Sequence, residues 1–340
     1  MTATATATAI ATAGGPPLFL TDHDVGELHN WKDAIEALRA AYAAPIDDAM
    51  VPPRSMARGD GVWLRGLSAI SSGGHMGCKL IAASTRARRA SYLISLFDQQ
   101  TMELAALIDG NQITAIRTAA TAAVAVDALA PRRPLRVAMI GSGFEARSQL
   151  KALHAARDIA SVAVFSPTPA SRQRFASDFQ RLLGIEVVAA DTAQQAIEGA
   201  DVIVCAARSR DESPVLRGEW LRPGATVVSI GSTLPEQREV DVDVIRRAGL
   251  IVADMVDEVA HDTGDMLAAA REGVAFGGKL HSLSDLIGGR LPPRGVDDIA
   301  VYKSVGSALQ DVVTAEMLLK RARAAGVGTL LPVSIAPVQK

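Results

Sequence analysis

A chain of 340 residues, 49% of them hydrophobic, is long enough for two domains with real cores. Its 35 basic and 37 acidic residues nearly cancel and aromatics are only 4%, so composition gives no reason to expect nucleic acid or an anionic membrane as a partner. No apolar run is long enough to span a bilayer, and the N-terminus lacks the basic start and long apolar middle of a secretory signal.

Residues 1–16 alternate Ala with Thr, bury little, and are expected to be a disordered extension. Leu18 to Leu20 reads as a short strand. Asp22 to Ala43 reads as one helix, with Val25, Leu28, Ile35, Leu38 and Tyr42 on a shared face. Val62–Leu67, Cys78–Ala83, Tyr92–Asp98 and Leu104–Ile108 read as strands. Asp109–Asn111 is a turn, and Gln112–Ala130 a long Ala-rich helix. These strands are too few and too short to form a satisfied sheet alone, which predicts a dimer through this region. Cys78 and Cys205 sit in apolar runs with no ligand spacing. They read as buried, reduced thiols of a cytoplasmic protein, with no metal site.

From Leu135 the texture becomes regular. Strands rich in Val and Ile begin at Leu135, Ser161, Ile185, Asp201, Ala225 and Leu250, with helices between them. Such alternation means a parallel, doubly wound sheet. Ser304–Ala325 then reads as one helix that packs back on the first domain. The expected fold class is therefore α/β: a Rossmann-type domain over residues 131–299, inserted in an α+β domain formed by residues 17–130 and 300–330 that carries dimerisation and substrate binding.

Gly141-Ser142-Gly143-Phe144-Glu145-Ala146 follows the first of these strands and opens a helix, in the pattern G-x-G-x-x-A. Gly141 permits the tight turn, Gly143 lets a pyrophosphate approach the backbone, and Ala146 lets the helix sit close to the sheet. The helix N-terminus then offers free N–H groups to phosphates. Its position in the first βα turn of a βα series makes it a dinucleotide site. The second strand ends at Ser166, with no acid before Asp178. Ser166, Thr168 and Arg172 can bind a 2′-phosphate, so NADPH is expected over NADH; the same residues also suit a helix N-terminus. Later strand ends, Ala207 and Ile230-Gly231-Ser232-Thr233, are expected on the nicotinamide side.

Three isolated basic residues point to a substrate. Lys79 stands alone in an apolar strand, Arg117 alone on a helix of Ala and Thr, and Arg54 follows two prolines. A charge in an apolar element must be paired or solvated. Arg can grip a carboxylate with both arms, and Lys can polarise C=N or give a proton. Structural ion pairs would leave the same trace. Asp254, Asp257, Glu258, Asp262 and Asp265 form an acidic cluster, expected to be a polar rim.

Ile113–Ala123, Gly141–Leu150, the stretch AIEGADVIVCAA, Trp220–Ala225, Ile230–Val240, Thr263–Asp265 and Ser304–Asp311 together resemble the ornithine cyclodeaminase/mu-crystallin family, over about Leu18 to Gly328. The resemblance implies a homodimer formed through the N-terminal domain, with a Rossmann domain inserted. It carries substrate binding to Arg54, Lys79 and Arg117, with Val305 nearby. It carries cofactor binding to Gly141, Gly143, Ser166 and Ser304. Two positions depart from the cyclodeaminases. Ser166 replaces an Asp at the end of the second Rossmann strand, and Thr233 replaces the catalytic Asp; Thr cannot act as a base near neutral pH. The expected activity is NADPH-dependent reduction of a small imine or keto-acid-derived ketimine bearing a carboxylate, with Lys79, Arg117 and Thr233 at the reacting centre. Two other readings remain: a cyclodeaminase-type lyase with recycled cofactor, and a non-catalytic NADPH or small-ligand binder like mu-crystallin.

Overall fold

The computed structural model describes residues 15–209 and 211–339. Most of the expected N-terminal extension, residues 1–14, lies outside that range.

Strand β1 (Leu18–Leu20) leads into helices α1 (Asp22–Leu28) and α2 (Trp31–Ala43). The single helix expected over Asp22–Ala43 is thus two. Asn30 ends the continuity because its side-chain oxygen accepts from the N–H groups of Lys32 and Asp33, capping a new helix. The chain then forms β2 (Ser55–Gly59), β3 (Val62–Ile70), β4 (His75–Ser84), β5 (Arg89–Asp98) and β6 (Leu104–Asp109), an antiparallel meander. β1 lies parallel to β6, and the last strand of the chain, Thr329–Leu330, closes the other side of β1, giving a seven-stranded sheet. The sheet is larger than the sequence suggested, since β3, β4 and β5 run for 9, 10 and 10 residues.

Helix α3 (Asn111–Leu129) leaves this sheet and is buried along most of its length. Its threonines tolerate burial because Thr114, Thr118 and Thr121 return their hydroxyls to the carbonyls of Gly110, Thr114 and Arg117. The chain then alternates: β7 (Leu135–Ile140), α4 (Phe144–Ala156), β8 (Ile159–Phe165), α5 (Pro169–Leu183), β9 (Glu186–Ala189), α6 (Ala193–Ile197), β10 (Val202–Cys205), β11 (Thr226–Ser229), α7 (Val242–Arg247) and β12 (Ala248–Ala253). Helices α8 (Val256–Asp262) and α9 (Gly264–Arg271) follow, then β13 (Leu280–Ser282), α10 (Leu283–Ile287) and β14 (Ile299–Lys303). These eight strands form one parallel sheet in the order β13-β12-β14-β11-β10-β7-β8-β9. The order reverses between β7 and β10, the crevice where Rossmann-type sheets take their ligand.

The boundary expected at residue 299 falls at the start of β14, which pairs with β11 and β12 inside the parallel sheet. The final helix, α11 (Ala308–Ala325), begins four residues later than expected, because Ser304–Ser307 form a loop capped by the Ser307 hydroxyl on the Leu309 N–H. α11 packs on β3, β4 and β5, and against α2 and α3. One core runs from the first sheet through α3 and α4 to one face of the parallel sheet; a second covers its opposite face. No helix of the described residues is long and apolar enough to cross a membrane.

Candidate active site

Lys79 sits on the β4 face that α11 covers, and only 1% of it is exposed. Its Nζ donates to Thr114 Oγ1 at 2.6 Å and to Asp311 Oδ1 at 2.9 Å. The Tyr92 ring lies 5.6 Å away. Burial pushes its pKa down to about 8; Asp311 opposes that shift, and Arg117 adds to it. Arg117, one turn along α3 from Thr114, reaches the same carboxylate, with Nε 3.3 Å from Asp311 Oδ1, and donates to Gln310 Oε1 at 2.9 Å. Asp311 therefore serves two cations with one oxygen, while Oδ2 is buried and has no hydrogen-bond partner.

Arg54 approaches from the loop before β2. It pairs with Glu258 Oε2 at 2.5 Å and donates to the carbonyls of Gly306, at 2.8 Å, and Val305. The loop after β14 joins the two halves of the site. Asp254, at the end of β12, accepts from the Ser304 hydroxyl at 2.6 Å, from the N–H groups of Val305 and Gly306, and from Gln310, which also donates to the Tyr42 hydroxyl. Gly306 holds φ at +80°, and a Cβ there would stand 2.4 Å from the Arg117 guanidinium. Glycine is needed both for the backbone and for the arginine's room.

The carboxyl ends of the parallel strands converge beside this cluster. Gly141 has φ +118°, and a Cβ would lie 2.6 Å from the Ala206 carbonyl and 3.1 Å from the Ala207 side chain. At Gly143 a Cβ would meet nothing within 4 Å, and no side chain caps α4. That open cradle with free N–H donors fits a dinucleotide pyrophosphate. Ala146 is fully buried, as close helix–sheet packing requires. Phe144 is 63% exposed at the helix start. Glu145 is expected among the cofactor-binding residues of this turn. Its Oε2 is buried without a partner, and burial raises its pKa while the fields of Arg117 and Lys79 pull it back down.

Ser142 donates to Ser166 at 2.8 Å across the crevice, and no carboxylate ends β8. Thr168 caps α5 with its backbone only. Arg172 was expected to reach a 2′-phosphate. Its guanidinium instead donates to the Ser166 carbonyl and pairs with Asp191 at 2.8 Å, over the Phe165 ring.

A buried ionic group shapes the loop after β11. Lys303 Nζ binds Asp265 Oδ2 and Ser229 Oγ, each at 2.9 Å, and the Ser232 carbonyl at 3.1 Å. Glu239 accepts from Ser229 and from the Gly231 N–H. The loop carries Ile230, Gly231, Ser232 and Thr233. The Thr233 hydroxyl is held by Gln237 Oε1 at 3.2 Å, and the Ser232 hydroxyl by the Gln237 carbonyl.

A family model described as "Ornithine cyclodeaminase/mu-crystallin family" matches residues 16–326. The chain belongs to this family. It is 32% identical over 238 residues to the Delta(1)-pyrroline-2-carboxylate reductase of Bacillus cereus, covering 69% of this chain and 72% of that one. It is also 32% identical over 225 residues to the ketimine reductase mu-crystallin of Mus musculus, covering 66% and 67%. The solved structure of Thermococcus litoralis Delta(1)-pyrroline-2-carboxylate reductase, in complex with NADH and L-proline, superposes with a TM-score of 0.83 at 27% identity, over 92% of this chain and 100% of the other.

The acidic cluster of this family member is only in part the polar rim expected, with Asp257 and Asp262 exposed. Asp254, Glu258 and Asp265 are anchors for Ser304–Gly306, Arg54 and Lys303. Sequence reasoning passed over Asp311, Glu239 and Lys303. Lys303 carried the signal that singled out Lys79, a lone charge in an apolar run, and its role is to hold a loop.

Proposed function

We propose that this protein is an NADPH-dependent reductase of a small imine that carries a carboxylate. The observation that carries the reading is the buried Lys79–Asp311–Arg117 group, with Arg54 across the Gly306 loop, set against a dinucleotide-type crevice. The reductase activities named for the two relatives support it. When bound, the dinucleotide supplies hydride to the imine carbon. Arg117 and Arg54 grip the substrate carboxylate and orient it. Lys79, cationic at neutral pH and stripped of water, polarises the C=N bond and gives the nitrogen its proton. Asp311 keeps that lysine and Arg117 pointed into one volume.

The cofactor preference rests on Ser166. No carboxylate stands at the end of β8 to repel a 2′-phosphate, and the Asp191 side chain paired with Arg172 is 85% exposed, so a phosphate can compete for the guanidinium. The family resemblance and the exposed Val62, Leu64, Leu80 and Leu93, which share one face of the first sheet, support a homodimer.

Spectrophotometric NADPH consumption with cyclic imino acids, and with 2-oxo acids plus ammonia, tests the activity. Turnover on a pre-formed imine, with no proline formed from ornithine, is expected, because Thr233 offers no base. Absence of turnover on every imine removes the reductase reading, and turnover of ornithine to proline favours the lyase.

A further inference from the structure

Arg65 on β3 is a basic side chain near the site that the reductase reading leaves unused. The strand register puts it on the inner face. Leu67 pairs with Lys79, Arg65 with Ile81, and Ile81 with Tyr92, so Arg65 and Tyr92 flank the next rung along from Lys79. One rung is two residues, about 7 Å along the strands. The Arg65 guanidinium lies 5.3 Å from the Trp63 ring centroid, and its Nε is buried with no hydrogen-bond partner.

The nearby carboxylates are already engaged. Glu258 pairs with Arg54, and Asp311 with Lys79 and Arg117. Asp254 is turned to the backbone of the Ser304–Gly306 loop. Among the described residues Arg65 has no carboxylate within ion-pair distance. Burial and then the neighbouring Arg54 weigh against its charge, while Glu258 supports it. A half-buried cation beside a second cation gains most from an incoming anion.

We propose that Arg65 binds a second carboxylate, on the side chain of the substrate, and that the preferred substrates are imines of dicarboxylic 2-oxo acids. This rests on the reductase reading and deepens it. The first carboxylate occupies Arg117 and Arg54, the imine carbon lies by Lys79, and the distal carboxylate reaches one rung further to Arg65. The Arg65 and Lys79 positions are one rung apart, about 7 Å along the backbone, which is on the scale of a four- or five-carbon dicarboxylate. The planar fork of Arg65 can take both oxygens, and stacking on Trp63 fixes its plane.

The test compares imines formed from oxaloacetate and from 2-oxoglutarate with ammonia against the imine of pyruvate and against Delta(1)-pyrroline-2-carboxylate. The unmodified protein is expected to show kcat/KM at least about 10-fold higher on the dicarboxylic imines. Arg65→Leu is expected to lose about 10- to 100-fold on these alone, the scale of a charge-assisted contact, while the monocarboxylic imines change less than about twofold. Arg65→Lys should restore part of the loss. Equal or better use of the monocarboxylic imines by the unmodified protein overturns the proposal, without need of any variant. So does an equal loss on both classes in Arg65→Leu, or no loss on either. If no imine of either class is reduced, the reductase reading itself falls and this proposal with it, a result distinct from a monocarboxylate preference.

Discussion

Lys79 has three sources of stress and one of relief: burial, Arg117 and Arg54 disfavour its charge, and Asp311 supports it. The balance leaves its pKa at about 8 rather than near the usual ~10.4 of lysine. A proton donor works only while it holds its proton, so imine reduction should be strong below that value and fade as pH rises through it. The expected kcat profile therefore has an alkaline limb near pH 8, falling about tenfold per unit beyond it. Lys79→Arg keeps the charge but replaces the donor by one that stays protonated, so the variant should be slower and lose that limb. A limb near pH 10 in the unmodified protein, or one near 8 that survives in the variant, would show that the proton comes from elsewhere. Asp311 lies far along the chain from both its partners, which is why reading isolated charges found Lys79 and Arg117 but not the acid that joins them. A lone Lys in an apolar strand does not say whether it stands beside other cations, as Lys79 does beside Arg117, or holds a loop, as Lys303 does; only its surroundings decide.

The end of β8 is an element-scale feature, because one strand terminus, one helix start and the Gly141 turn meet there. Ser142 and Ser166 share a hydrogen bond, and α5 begins without a side-chain cap. NADPH is expected to bind more tightly than NADH. Ser166→Asp should weaken NADPH by about tenfold or more, by setting a carboxylate against the 2′-phosphate, and improve NADH. Dissociation constants that favour NADH in the unmodified protein would reverse the assignment. Much of this half was legible because strands of a parallel sheet are buried on both faces and read as continuous apolar runs, as Leu135–Ile140 and Val202–Cys205 do. β14 was not, since Lys303 breaks its run and the partner Asp265 that makes burial tolerable sits 38 residues earlier. The split between α1 and α2 was hidden for a similar reason. Asn30 falls on what looks like a polar helix face, and its capping role appears only once its side chain turns to its own backbone.

At the scale of the whole molecule the two faces of the first sheet are unlike. The inner face carries Lys79 and Arg65 and is covered in part by α11. The outer face carries Val62, Leu64, Leu80 and Leu93, exposed by 52%, 46%, 39% and 37%. Register makes these one patch: Leu64 pairs with Ala82, Gly66 with Leu80, and Leu80 with Leu93, so three adjacent strands present apolar side chains together. The sequence argument for a dimer was a sheet too small to satisfy itself. The seven-stranded sheet removes that argument, and the bare apolar face supplies a better one, since monomers rarely leave such a patch open. A second copy presenting the same face gives a two-fold, self-complementary interface, the commonest way to cover it. The expected solution mass at micromolar concentration is therefore twice the 35.6 kDa of the chain. Leu64→Glu combined with Leu80→Glu should place four like charges in the interface, dissociate the dimer and lower its melting temperature, without touching the face that holds Lys79. Light scattering that finds a monomer in the unmodified protein, or an intact dimer in the double variant, would show that this face is not where the copies meet.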